Sequence, residues 1–133
     1  MSPAEARERF ASARCVRLAT ADADGKPHIV PLVFALDGDT IYSAVDPKPK
    51  RTRDLKRLRN VAANPQVSLL ADHYVDDDWD VIWWARADGT GTVHERLPRA
   101  AELLRDRYAQ YADAPPDGPV LAIEVQRWSG WHA

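Results

Sequence analysis

The chain has 133 residues, 45% of them hydrophobic. That is the size of one domain, for which about 100–200 residues is usual, and enough for one core without disulfide staples. A net charge of -2 argues against a whole-molecule nucleic-acid binder, and the single cysteine excludes an internal disulfide. The N-terminal stretch MSPAEARERF has no apolar signal region, and no segment approaches the ~20 apolar residues of a membrane span. A soluble cytoplasmic protein of one domain, residues 1–133, is expected.

The spacing predicts a first helix from Pro3 to Ala13: Ser2 can cap it, Pro3 suits its first position, and Glu5 completes a capping-box interval. Two β-type runs follow, Cys15 to Thr20 and His28 to Leu36, separated by an Asp24-Gly25 turn that signals a hairpin. Cys15, in an apolar run, reads as a buried structural thiol rather than a nucleophile. Pro27 and Pro31 each remove a ladder donor and favour an edge or a bulge. A turn at Asp37-Gly38-Asp39 leads to a third strand, Thr40 to Val45, which completes an antiparallel meander. From Thr52 to Ala63 the pattern becomes helical, with Leu55, Leu58, Val61 and Ala62 on one face, and Asn64-Pro65 stops it. A strand from Gln66 to Ala71, an acidic loop from Asp72 to Asp80 and a strand from Val81 towards Val93 come next. Gly89 and Gly91 within that last strand read as a bulge rather than a phosphate loop. A helix from Leu97 to Tyr111, a turn around Pro115-Pro116 and a final strand from Val120 to Trp128 end the pattern. About six antiparallel strands with segregated helices indicate an α+β or barrel-like fold.

The segment from Lys48 to Arg59 carries the strongest chemical signal, with Lys48, Lys50, Arg51 and Arg53 around an expected helix start. Unpaired N–H groups and the dipole at such a position favour anions. Arginine adds forked donors that match phosphate, and lysine adds a point charge. A cofactor phosphate, a solvated basic face and a nucleic acid are three readings of this segment, and the nearby Asp76, Asp77, Asp78 and Asp80 would repel a polyanion. Trp83 and Trp84 would point to opposite faces of a strand, so that one can join the core while the other lines an interface or cleft. His28, His73, His94 and His132 are not spaced as a metal pair, and the glycine motifs of Rossmann, P-loop and hydrolase sites are missing from the sequence. Any difficult chemistry would then come from a cofactor.

In order along the chain, the run from Val16 to Phe34, Ile41-Tyr-Ser43, Lys50 to Leu55, Asn64 to Leu69, Trp84 to Gly89 and Arg127 to Trp131 resembles the pyridoxamine 5′-phosphate oxidase-like superfamily. The likeness is strongest to its small F₄₂₀-dependent members. It implies a split β-barrel of the FMN-binding-protein type and a homodimer with cofactor clefts at the interface. The implied chemistry is hydride transfer from the reduced deazaflavin, coenzyme F₄₂₀, to a small organic acceptor. By resemblance, Lys48, Lys50, Arg51 and Arg53 would hold the cofactor phosphate. His28, Ile29, Val30, Pro31, Ala44 and Val45 would line the ring and its side chain, with Trp84 and Arg86 in or near the same cleft. The basic cluster exceeds what one phosphate needs, and the chain is shorter than the true oxidases, which favours the deazaflavin over FMN. An FMN oxidoreductase and a non-catalytic cofactor carrier are the alternatives.

Overall fold

The computed structural model describes residues 1–45 and 55–133. Helix α1 spans Pro3–Ser12, and Ser2 caps it by accepting a hydrogen bond from the Glu5 backbone N–H at 3.1 Å. The Glu5 carboxylate does not return the bond to the cap; it accepts from Arg9 one turn on. Strands β1 (Val16–Ala21) and β2 (Pro27–Leu32) form the hairpin, turning at Gly25, whose φ of 84° favours glycine. Strand β3 (Ala35–Asp37) and strand β4 (Thr40–Ala44) make a second hairpin. Helix α2 (Lys56–Ala63) precedes the long β5–β6 pair, Gln66–His73 and Trp83–His94. Helices α3 (Pro98–Arg107) and α4 (Ala109–Asp113) then lead to β7 (Val120–His132).

The seven strands form one antiparallel sheet in the order β2-β1-β5-β6-β7-β4-β3. Laid flat, seven strands would be roughly 29 Å wide. Yet β2 and β3, the two edges, are joined only by Val33 and Phe34. Three Cα–Cα steps reach at most roughly 11 Å, so the sheet must curl until its edges approach. It does not close. Strand β2 pairs with β1 and β3 pairs with β4, and no ladder joins β2 to β3.

The expected split β-barrel of about six strands is therefore corrected to an open, curled sheet of seven strands with flanking helices. The physical reason lies at the crossing. Ser43 Oγ donates to the Val33 carbonyl at 3.0 Å, and the Tyr108 hydroxyl accepts from the Phe34 N–H at 3.2 Å. The single proton of that hydroxyl serves the carbonyl of Phe34 at 2.9 Å or that of Arg14 at 3.0 Å. Side chains thus satisfy the backbone groups that a closing ladder would have used. The same crossing splits the expected run from His28 to Leu36 into two strands, and Tyr108 in turn interrupts the expected helix from Leu97 to Tyr111.

The inner face of the curl holds the main core, including Val16, Leu18, Phe34, Ile41, Leu69 and Ile123. Helix α1 covers one end through Ala6 and Phe10; the Phe10 ring lies 5.1 Å from Phe34 and 5.2 Å from Trp128. Helix α2 covers the other end through Leu58 and Val61. A smaller cluster of Ala35, Ala44, Ala100, Leu104, Tyr111 and Val120 fixes α3 and α4 outside β3 and β4. Gly89 marks a bulge, as its position in the strand suggested: the β6–β7 register shifts there, and a Cβ would overlap the Glu124 carbonyl oxygen.

Candidate functional site

Where the curled edges approach, a cleft of about 310 Å³ opens between the end of β2 and the end of β4. Its walls are Pro31, Leu32, Val33, Ser43 and Ala44, with Cys15, Arg57 and Tyr111 around them. Chain topology creates it: the two-residue crossing brings Pro31 and Ala44 together although five strands separate β2 from β3 in the sheet order.

Strand alternation divides the residues expected to line a ring. His28 and Val30 stand opposite Thr20 and Leu18 on the inner face, whereas Ile29 and Pro31 point outward. Ile29 is 66% exposed. His28 Nδ1 is buried and has no hydrogen-bond partner among the described residues. Ala44 lines the cleft, while Val45 is buried in the core and its N–H donates to the Pro119 carbonyl. Lys48, Lys50, Arg51 and Arg53 lie outside the described residues.

Trp84 and Arg86 sit elsewhere on the outer face. In the row Pro31–Arg17–Leu70–Arg86, strands β1 and β5 separate Arg86 from the cleft. The two residues line a second cavity, of about 340 Å³, at the β5–β6 hairpin. Trp83 turns inward, as alternation predicts, and stacks on His73 at 6.2 Å.

The sequence reading missed five contributors to the cleft, Leu32, Val33, Ser43, Arg57 and Tyr111, and misplaced a sixth. None of the five was singled out as a site residue by its local pattern. Cys15, expected to be buried, is exposed and lines the cleft, because it precedes the first residue of β1 instead of belonging to its inward series. Among the described residues, no three His, Cys, Asp or Glu side chains converge as a metal site, and no helix is long and apolar enough to cross a membrane.

An open, curled antiparallel sheet with helices on its ends and flank, and a cleft at its gap, defines the chain as an α+β protein. Residues 2–132 match the family model for pyridoxamine 5′-phosphate oxidase, and the chain belongs to that family. No curated protein matches it in sequence. Solved structures similar to it include a conserved hypothetical protein of Mycobacterium tuberculosis, at a TM-score of 0.75 and 22% identity over 99% of this chain and 85% of that one. A FAD-binding protein of Mesorhizobium loti has a TM-score of 0.72 and 24% identity over 98% and 94% of the two chains. The heme storage protein HutZ of Vibrio cholerae has a TM-score of 0.73 and 17% identity over 97% and 92%. At such identities the likeness shows the fold.

Proposed function

We propose that the chain binds a flavin-type cofactor in the cleft between β2 and β4 and acts as an oxidoreductase of its family. The observation that supports this most is the cleft itself, which gathers Pro31 and Ala44 from distant parts of the sequence into one small site whose lining is divided evenly between apolar and polar surface. Its donor chemistry fits such a group. Pro31, Leu32, Val33 and Ala44 offer apolar wall to a ring, the Arg57 guanidinium offers positive charge to an anionic tail, and the Ser43 and Tyr111 hydroxyls lie at the margin. When bound, a flavin or deazaflavin supplies the hydride transfer. The chain's own residues orient the ring and exclude water from one side of it.

Family membership and the FAD-binding neighbour favour FMN or FAD over the deazaflavin F₄₂₀. The basic residues Lys48, Lys50, Arg51 and Arg53 belong to the same proposal as holders of the cofactor phosphate. So does a homodimer, since Ile29 stands uncovered on the outer face next to the Pro31 series.

The second reading is a non-catalytic carrier or store. It is favoured by a cleft that presents no carboxylate or imidazole among its described residues to pass a proton to an acceptor, and by the heme storage neighbour. Parallel titrations of the purified protein with FMN, FAD, F₄₂₀ and hemin, followed by tryptophan quenching, separate these readings. The proposal expects saturable flavin binding. Preference for F₄₂₀ would change the cofactor, preference for hemin would favour the carrier reading, and binding of none would remove the functional claim.

A further inference from the structure

Arg107, the last residue of α3, lies where several parts of the chain meet. One of its terminal nitrogens donates to the carbonyl oxygens of Ala11, at 3.0 Å, and Ala13, groups that the end of α1 leaves without helical partners. Its guanidinium lies 4.6 Å from the Phe34 ring centroid and 5.5 Å from that of Tyr108. Arg14 also approaches the Tyr108 ring, at 4.5 Å, and donates to the Arg107 carbonyl at 2.9 Å. Two guanidinium groups thus clamp one tyrosine.

Stability alone is a poor account of this arrangement. Neither arginine forms an ion pair among the described residues, and the buried Nε of Arg107 has no hydrogen-bond partner there. Like charges on one ring and an unpaired buried donor both cost free energy. What the clamp fixes is position. Three walls of the β2–β4 cleft hang from it along the chain: Cys15 follows Arg14, Val33 precedes Phe34, and Tyr111 lies one helical turn beyond Tyr108. The Tyr108 hydroxyl bonds to the Phe34 backbone, and the Tyr111 N–H donates to the Tyr108 carbonyl at 3.0 Å. The rings of Tyr108 and Tyr111 meet edge-on at 6.1 Å.

We infer that Arg107 is a positioning residue for the cofactor cleft, acting through Tyr108 to fix the crossing and α4 relative to each other. The inference rests on the reading of that cleft as the flavin site. Arg107 is not one of the cleft's walls, so its effect on a ligand there passes through the clamp. Its cation holds the Phe34 and Tyr108 rings together, and its carbonyl bonds anchor both to α1. Without it, Val33 and Tyr111 lose their common support.

Arg107→Met keeps the stem and removes the charge and the donors, whereas Arg107→Lys keeps a cation for the rings and donors for the carbonyls. Near-UV circular dichroism checks that each variant is folded. FMN titrations followed by tryptophan quenching should show binding weakened about tenfold by Arg107→Met and restored to within about threefold of the parent by Arg107→Lys. Arg105→Met removes an exposed cation from the same helix and should bind like the parent. Hydrogen exchange at the Phe34 amide, measured without ligand, should be faster in Arg107→Met and close to the parent's in Arg107→Lys. If Arg107→Met fails to fold, Arg14→Met, which removes the other half of the clamp from an exposed position, takes its place in both measurements. Parent-like FMN binding by Arg107→Met, no rescue by Arg107→Lys, or an equal loss in Arg105→Met would overturn the inference. A parent that binds no FMN would remove the flavin reading, and the exchange rates would then decide: faster exchange in Arg107→Met upholds the clamp as what shapes the cleft, and unchanged exchange overturns it.

Discussion

Asp22 illustrates how a single side chain sets a turn. Its Oδ1 accepts from the backbone N–H groups of Lys26 at 2.9 Å and Asp24 at 3.0 Å. The Lys26 bond is the main cause that holds its carboxyl below the ordinary value of 3.8. A folded-state value below the unfolded one means that the bonds' contribution is present above the ordinary carboxylate range and lost as pH falls through the lowered value. A ¹³C-NMR titration of the Asp22 carboxyl should give a midpoint below 3.8; a midpoint at or above it would contradict this. Gly89 makes a harder demand. Gly89→Ala must push against the Glu124 backbone and should cost about 1–3 kcal/mol in urea unfolding. An unchanged midpoint would mean that the bulge yields. The turn at Asp24-Gly25 and the bulge at Gly89 were legible in the sequence because turn and bulge chemistry is local. Asn60 was not. It is 3% exposed and donates to Thr20 Oγ1 at 3.0 Å, but a helix read by its apolar stripe gives no sign of a buried amide. Asn60→Ala should cost about 1–3 kcal/mol by leaving the Thr20 hydroxyl without that donor, and a smaller loss would show that water takes its place.

At the scale of elements, the structure turns on Tyr108. It leaves helical geometry, with φ -121° and ψ 122°, and its hydroxyl reaches back 74 residues to the Phe34 backbone. One side chain thus accounts for two misreadings: the unbroken strand from His28 to Leu36 and the unbroken helix from Leu97 to Tyr111. Periodicity could show neither, since an apolar run looks the same whether the chain continues along one edge or crosses to the other. Tyr108→Phe should speed hydrogen exchange at the Phe34 amide, with a stability loss of about 1–3 kcal/mol. Unaltered exchange would mean that the hydroxyl does not hold the crossing. Helix α1, by contrast, was legible almost to the residue from Ser2 and Pro3.

For the whole molecule, the sequence disclosed the antiparallel sheet, its helices and the edge position of the proline-bearing β2, but not that the sheet stays open. Closure depends on contacts among Ser43, Val33, Tyr108 and Phe34, which no local pattern encodes. The candidate site was legible in part for the same reason: Pro31 and Ala44 came from resemblance, whereas Ser43 and Tyr111 enter the cleft only through the curl. The proposed dimer predicts a sedimentation mass of two chains for the parent and a shift towards monomer for Ile29→Glu; a monomeric parent would contradict it. The cleft itself is tested most directly by titrating FMN into the parent and into Pro31→Trp, which places an indole in the cleft from an exposed edge-strand position. Saturable binding by the parent and binding weakened roughly tenfold or more in the variant is the predicted result. Equal binding by the two proteins, or none by the parent, would contradict it.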